Sequence, residues 1–481
     1  MDLTFQTAGK IRAAIAAGKV SCLEVTDYFI KRIETHDGAL NAVVVRDFER
    51  ARARAKQLDR QRKKLAKLPS LFGVPMTVKE SYDVAGLPTC WGLPAFAGNI
   101  AKEDALSIAR LKDQGAIILG KTNVPVLLAD WQSFNPVYGS TNNPWDITRS
   151  PGGSSGGSAA SLAAGFCALE AGSDIGASIR DPAHYCGVYG HKPTWGVIPP
   201  RGHSLAGNHT TTDLSVIGPL ARSAADLATA LAAMAGPEAI DCGFKLDLPK
   251  PRVRSLQDLR IAVMADSPIC PVASEISAEF AALAKFLRKS GAKVSETARP
   301  AFDMRQAHVN YSLLLNAALS ARMPDETIER LRHLLDGKAA DDLSPDVVVA
   351  RGTLLEHRLW LREHEARYRM RAAWAAFFHD WDVLIAPVGS TAALPHDQSG
   401  PMWQRFIDVN GKQQNFADQL FWAGLATNPL LPATAAPLGF TKSGLPFGMQ
   451  ILGAPFADRT TIAVAAMLEK SWLGFEVPPG Y

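Results

Sequence analysis

Two serines set the chemical question. Ser154 lies in Gly152-Gly153-Ser154-Ser155-Gly156-Gly157-Ser158, and Ser178 lies 24 positions on, in Gly172-Ser173-Asp174-Ile175-Gly176-Ala177-Ser178-Ile179-Arg180. Glycine clusters let the main chain take positive φ and bring bare N–H groups close to a ligand. Successive amides around Gly176 could converge on a developing oxyanion, often the largest electrostatic contribution to acyl transfer. A serine hydroxyl attacks a carbonyl only when a base takes its proton. His184 and His191 are near in sequence. Lys79 is the other candidate, because it ends the apolar run Leu71–Val78. A lysine stripped of water has its pKa drawn toward neutrality. Residue types and spacing leave the choice of nucleophile and base open.

Competing motifs fit poorly. Gly152 to Gly156 matches G-x-S-x-G, but a nucleophile elbow needs a strand running straight into the serine. Here the approach, Asn143–Pro151, is a polar turn with two prolines. A phosphate-cradling loop needs a lysine that this stretch lacks. A flexible linker would stay polar, whereas small apolar residues follow from Ala159. The histidines are dispersed and no H-E-x-x-H occurs, so no metal centre is expected. Serine-based acyl transfer requires no cofactor.

The elements that must position these groups alternate in type. Residues 7–17 carry apolar side chains at helical spacing, and Ser21 with Glu24 reads as a capping box opening a second helix. A strand over 42–45 precedes a charged helix over 47–60; a helix over 105–115 leads into a strand over 116–119. Further strands are expected over 259–265, 292–294, 381–386 and 448–452, with a helix through Ile276 and Leu287 ending at Gly291. Residues 303–378 read as a helix-rich cover on the sheet. The pattern predicts an α/β fold: one large domain, 1–481, with a mixed central β-sheet covered by helices.

Bulk properties limit the partners. A net charge of +4 on 481 residues is too small to imply nucleic acid, and the basic run Arg60–Lys67 reads as a solvated turn. Six scattered cysteines without a C-x-x-C pair suit free thiols in a reducing compartment. An acid at position 2 and no long apolar core argue against a secretory signal, and no apolar stretch reaches the ~20 residues of a membrane span. A cytoplasmic location is expected, with no membrane partner. On oligomeric state, a homodimer included, the sequence is silent.

Three ordered stretches carry a resemblance: Gly73-Val74-Pro75-Met76-Thr77-Val78-Lys79-Glu80, Gly152 to Ser158, and Asp174 to Arg180. Gly187-Val188-Tyr189-Gly190-His191-Lys192-Pro193-Thr194, Gly218-Pro219-Leu220-Ala221-Arg222 and Gly444-Leu445-Pro446-Phe447-Gly448-Met449-Gln450-Ile451 extend it over nearly the whole chain. Together they resemble the amidase signature family. The resemblance implies a Ser-Ser-Lys triad with Ser178 as nucleophile, Ser154 as the bridging serine behind a cis peptide at Gly153-Ser154, and Lys79 as base. It further implies an oxyanion hole from the amides of Ile175, Gly176, Ala177 and Ser178, with Asp174 and Arg180 supporting that loop. Two departures stand out: Ala177 replaces the family's usual glycine, and Glu80-Ser81 replaces the commoner Asp-Asn.

The implied activity is hydrolysis of the C–N bond of a small carboxamide, with an aryl amide or carbamate in scope, through an acyl-enzyme. Asn123, Trp131, Phe134 and the helices near 303–330 are candidates to line the acyl or amine pocket. The alternative is a subunit of a tRNA-dependent amidotransferase, although Gly202–Asn208 does not resemble that subgroup. A Ser-His-Asp esterase built on Ser154 would instead depend on His184, His191 or His203.

Overall fold

The computed structural model describes residues 2–481, Arg322 by its backbone alone. Its centre is an eleven-stranded sheet. In chain order the strands are β1 (Val43–Arg46), β2 (Pro75–Lys79), β3 (Ile117–Thr122), β4 (Leu169–Asp174), β5 (Tyr189–Lys192), β6 (Val216–Ala221), β7 (Arg260–Val263), β8 (Lys293–Ser295), β9 (Val383–Pro387), β10 (Ala433–Phe440) and β11 (Pro446–Leu452). They lie side by side as β1-β3-β2-β4-β6-β5-β10-β11-β9-β7-β8. β3, β2 and β4 are mutually parallel, as are β9, β7 and β8, while the strands between pair antiparallel. The sheet is therefore mixed, as the alternation of elements predicts.

The central strands are buried along their whole length, which is why they read as apolar runs rather than as alternating ones. The capping box is formed: Ser21 Oγ accepts from the Glu24 amide at 3.1 Å, and Glu24 accepts from the Ser21 amide at 2.7 Å. The strand ending at Lys79 is shorter than its apolar run, starting at Pro75, because Gly73 turns the chain at φ +75°.

Four helices occupy the 303–378 region and its margin: α1 (Met304–Leu319), α2 (Asp325–Leu335), α3 (Pro345–Thr353) and α4 (His357–Asp380). α1 packs against α3, α4 and the later helix α5 (Leu420–Thr427). No described helix is long and apolar enough to cross a membrane.

This topology sets the site at the carboxyl ends of two interior strands. Lys79 is the last residue of β2 and Asp174 the last of β4, two parallel neighbours. Loops leaving the carboxyl ends of parallel strands are where open α/β sheets gather ligands.

Candidate active site

Lys79 is fully buried, and its Nζ lies 2.6 Å from Ser154 Oγ and 2.9 Å from Ser173 Oγ. Burial pulls its pKa down to about 7, against the upward pull of the Asp174 and Glu170 charges. Near neutrality the amine is thus substantially uncharged, with a lone pair to accept a proton. Ser173 is a neighbour that the motifs do not point to. It accepts one N–H of the amine, which leaves the lone pair to meet Ser154.

Ser154 is held by a crowded turn. The Gly153-Ser154 peptide is cis. Gly152 sits at φ +87°, and a Cβ there would meet Asp181 Oδ2 at 2.6 Å. A Cβ on Gly153 would strike the carbonyl of Asp130. The Gly153 amide donates to Asp181 Oδ2 at 3.1 Å. Burial raises the Asp181 carboxyl well above its usual range. Past the turn, Gly156–Ala163 forms a short buried helix, matching the small-residue run.

The second loop faces the first: the Ser155 amide donates to the Ser178 carbonyl at 3.1 Å. Ser178 is 5% exposed and its hydroxyl makes no hydrogen bond among the described residues, so the Ser154–Ser178 link implied by the resemblance is not made in this state. Asp174 ties the loop into a ring. Its Oδ1 accepts from the Ala177 amide at 3.0 Å and its Oδ2 from the Ile179 amide at 3.1 Å. Arg180 grips both oxygens, Nε to Oδ2 at 3.0 Å and Nη2 to Oδ1 at 2.9 Å. Burial alone would raise the Asp174 pKa, but the Arg180 charge and its hydrogen bonds hold it below the usual carboxylate range.

This ring engages one of the four amides that the resemblance assigns to the oxyanion hole. The Ala177 amide donates to Asp174, whereas those of Ile175, Gly176 and Ser178 donate to no acceptor among the described residues. Their carbonyls explain the aim of the loop. Tyr311 Oη donates to the Ile175 carbonyl at 2.7 Å, and Trp131 Nε1 donates to the Gly176 carbonyl at 2.6 Å. In a trans peptide the N–H points opposite its carbonyl, so the Gly176 amide is turned away from Tyr311. Ala177 adopts φ +70°, the left-handed region that favours the glycine usual there.

The histidines are committed elsewhere. His184 Nδ1 accepts from the Gly448 amide at 2.7 Å and its Nε2 donates to the Thr391 carbonyl at 2.9 Å. His191 bridges Thr434 and Asp458. His203 pairs with Ser81 at 2.9 Å, and burial together with the Lys79 charge drives its pKa down to about 3. None bonds to Ser154 or Ser178. The Glu80-Ser81 departure is likewise local: Glu80 accepts the amides of Cys90 and Trp91.

Around Ala177 lies an apolar cluster separate from the main core, including Trp131, Leu214, Tyr311 and Phe416. Ile175, Trp195, Trp360, Leu394, Met402 and Leu420 are its partly exposed members. Of the residues proposed for the pocket, Trp131 belongs to it. Asn123 instead ties Gly139 and Thr141 together, and Phe134 lies in a small hairpin with Ser140.

A family model described as Amidase matches residues 24–462. An acylamidase of Rhodococcus erythropolis is 32% identical over 97% of this chain and 96% of its own. A glutamyl-tRNA(Gln) amidotransferase subunit of Moorella thermoacetica is 30% identical over 98% of this chain and 97% of its own. Among solved structures, a bacterial aryl acylamidase of the amidase signature family superposes with a TM-score of 0.82 at 23% identity, covering 99% of each chain.

Proposed function

The chain belongs to the amidase family of hydrolases acting on C–N bonds, and from that premise we propose that it cleaves small carboxamides with an apolar flank through a Ser178 acyl-enzyme. The observation that carries this reading is the buried Lys79 amine 2.6 Å from Ser154. Uncharged Lys79 takes the Ser154 proton while Ser154 takes that of Ser178. The Ser178 oxygen forms a bond to the substrate carbonyl carbon, whose oxygen becomes anionic against the free amides of Ile175, Gly176 and Ser178.

The relay closes when the unbonded Ser178 hydroxyl turns toward Ser154; such contacts are often loose before substrate arrives. Running backwards, it delivers the proton to the departing nitrogen, so an amine leaves rather than an amide anion. Water then repeats the sequence on the ester and frees the acid.

The partly exposed Ile175, Trp195 and Trp360 beside the loop favour an aryl or alkyl group on the substrate. The full-length match to an amidotransferase component supports a second reading, in which the same site supplies ammonia to a partner. The test is a panel of anilides, aliphatic amides, carbamates and glutamine, assayed by released amine or ammonia on the purified chain. Turnover of anilides, lost in Ser178→Ala and Lys79→Ala, supports the hydrolase. Retained turnover in either variant overturns the triad. Negligible turnover of every amide by the chain alone favours the amidotransferase reading.

A further inference from the structure

One buried acid near the site has no part in the relay. Glu170, on β4, is 1% exposed. In the β2–β4 register it pairs with Thr77, and Lys79 lies two residues beyond Thr77 on the same sheet face. Thr122 lies on the other side of β2: it is the β3 register partner of Lys79, and its Oγ1 donates across that strand to Glu170 Oε1 at 2.8 Å. Ser158 Oγ lies 2.9 Å from Thr122 Oγ1. Because that hydroxyl's proton is spent on Glu170, Ser158 must donate to Thr122, giving a hydroxyl chain polarised toward the carboxyl. The second oxygen, Oε2, is buried without a hydrogen bond. An acid meant only to pin two strands has no need of a half-satisfied carboxyl beside a lysine.

We propose that Glu170 is a positioning residue that acts as the counter-charge of Lys79 and sets how strongly that amine draws the Ser154 proton. A lysine buried among neutral groups would lose its proton readily but hold a new one weakly, which makes a poor base. A nearby carboxylate restores part of that affinity.

The groups facing this pair directly are fixed in charge across neutrality. Asp174 is locked to Arg180. His203, which faces Lys79, is neutral above about pH 3. Tyr82 and Cys167, which face Glu170, are held protonated by burial. Lys192, which burial also draws down to about 7, faces Asp174, Asp458 and Arg180 rather than the pair, and Arg222 faces Cys167. Burial pushes Glu170 itself up to about 7, so its charge changes in the same range as that of Lys79.

This inference rests on Lys79 being the base. The test is the pH profile of kcat/KM for an anilide on the whole chain, from pH 5.5 to 9.5, for the wild type, Glu170→Gln and Glu170→Asp. Glu170→Gln keeps the shape and removes the charge. It should move the midpoint of the acid limb toward acid by about half a pH unit or more. The high-pH plateau should fall about three- to tenfold, because the amine is a weaker base. Glu170→Asp should keep the wild-type midpoint. A plateau that falls with the midpoint unmoved overturns the proposal and leaves Glu170 a packing residue.

If Glu170→Gln does not fold, the wild-type limb decides. Two coupled groups give a limb shallower than a single proton's, and a clean single-proton limb overturns the coupling. An active Lys79→Ala, or a wild type with no acid limb, sinks the base reading and this inference with it. An inactive Lys79→Ala alongside an unmoved Glu170→Gln midpoint sinks this inference alone.

Discussion

Trp131 and Tyr311, far apart in the chain, hold two consecutive carbonyls of one loop, those of Gly176 and Ile175. Neither side chain faces the reacting bond through these contacts, yet Tyr311 fixes which way the Gly176 amide points, and Trp131 fixes the Ala177 amide that Asp174 holds in the frame of the loop. Replacing either by phenylalanine keeps the ring and removes the grip. A lost oxyanion donor costs about 100- to 1,000-fold in kcat; a loosened one should cost less, about tenfold, with KM changed under about threefold. Steady-state kinetics of Trp131→Phe and Tyr311→Phe check this, and a KM effect larger than the kcat effect would make them pocket walls only.

Acid should silence the enzyme. With Lys79 pulled down to about 7 by burial, its neutral form is half present near that pH. The value of kcat/KM should therefore rise through neutrality and drop several-fold by pH 6. Stability shifts in a linked way. The folded lysine gives up its proton near 7, whereas the unfolded one keeps it to ~10.4, so across that window the unfolded chain binds more protons and stability rises with pH. Lys79→Met should flatten that rise in denaturant melts taken at pH 7 and pH 9.5.

Ser173→Ala removes the acceptor that orients the Lys79 amine. The charge environment stays the same, so the acid limb should keep its midpoint while kcat falls about tenfold through misaligned proton transfer. A shifted midpoint with unchanged kcat would contradict this role.

Arg180→Met would strand a carboxylate. Arg180 and Asp174 are both fully buried, and Arg180 also reaches Gln450 at 2.7 Å and Thr427 at 2.8 Å. Breaking such a pair costs about 3–5 kcal/mol, because one charge remains buried and unpaired. Asp174, held below its usual range, contributes stability above ~3.9 that is lost as pH falls. In Arg180→Met burial acts on the Asp174 carboxyl without that partner and raises its pKa, so the stranded group takes up a proton as pH falls. The deficit, largest at neutral pH, should therefore be smaller in melts at pH 4.5 than at pH 7.

What could be read in advance follows from how local the signal is. β2, β3 and the helix after Ser154 announce themselves because fully buried elements leave continuous apolar or small-residue runs. β10 does not: its Ala-Thr-Ala-Ala-Pro-Leu-Gly-Phe has little β-propensity, and pairing with both β5 and β11 holds it extended. Lys79, Ser154 and Asp174 sit in recognisable strings, and so does Ser173, but nothing in its string says that its hydroxyl meets a lysine from another strand. The bond between the Ala177 amide and Asp174 could not be foreseen either, since it depends on where the Asp174 carboxyl bends back. Glu170 lies in a strand that the sequence analysis does not mark, and its place beside Lys79 emerges only when β2 and β3 are laid next to β4.

The grip on the oxyanion loop has an engineering corollary. Trp131 and Tyr311 belong to the apolar lining beside Ala177 as well as to the scaffold that aims the amides. Widening that lining to admit bulkier compounds by trimming either ring would slacken the catalytic frame at the same stroke. Selectivity and speed are mechanically joined here, and remodelling should begin at Leu394, Met402 or Leu420, which carry no such duty.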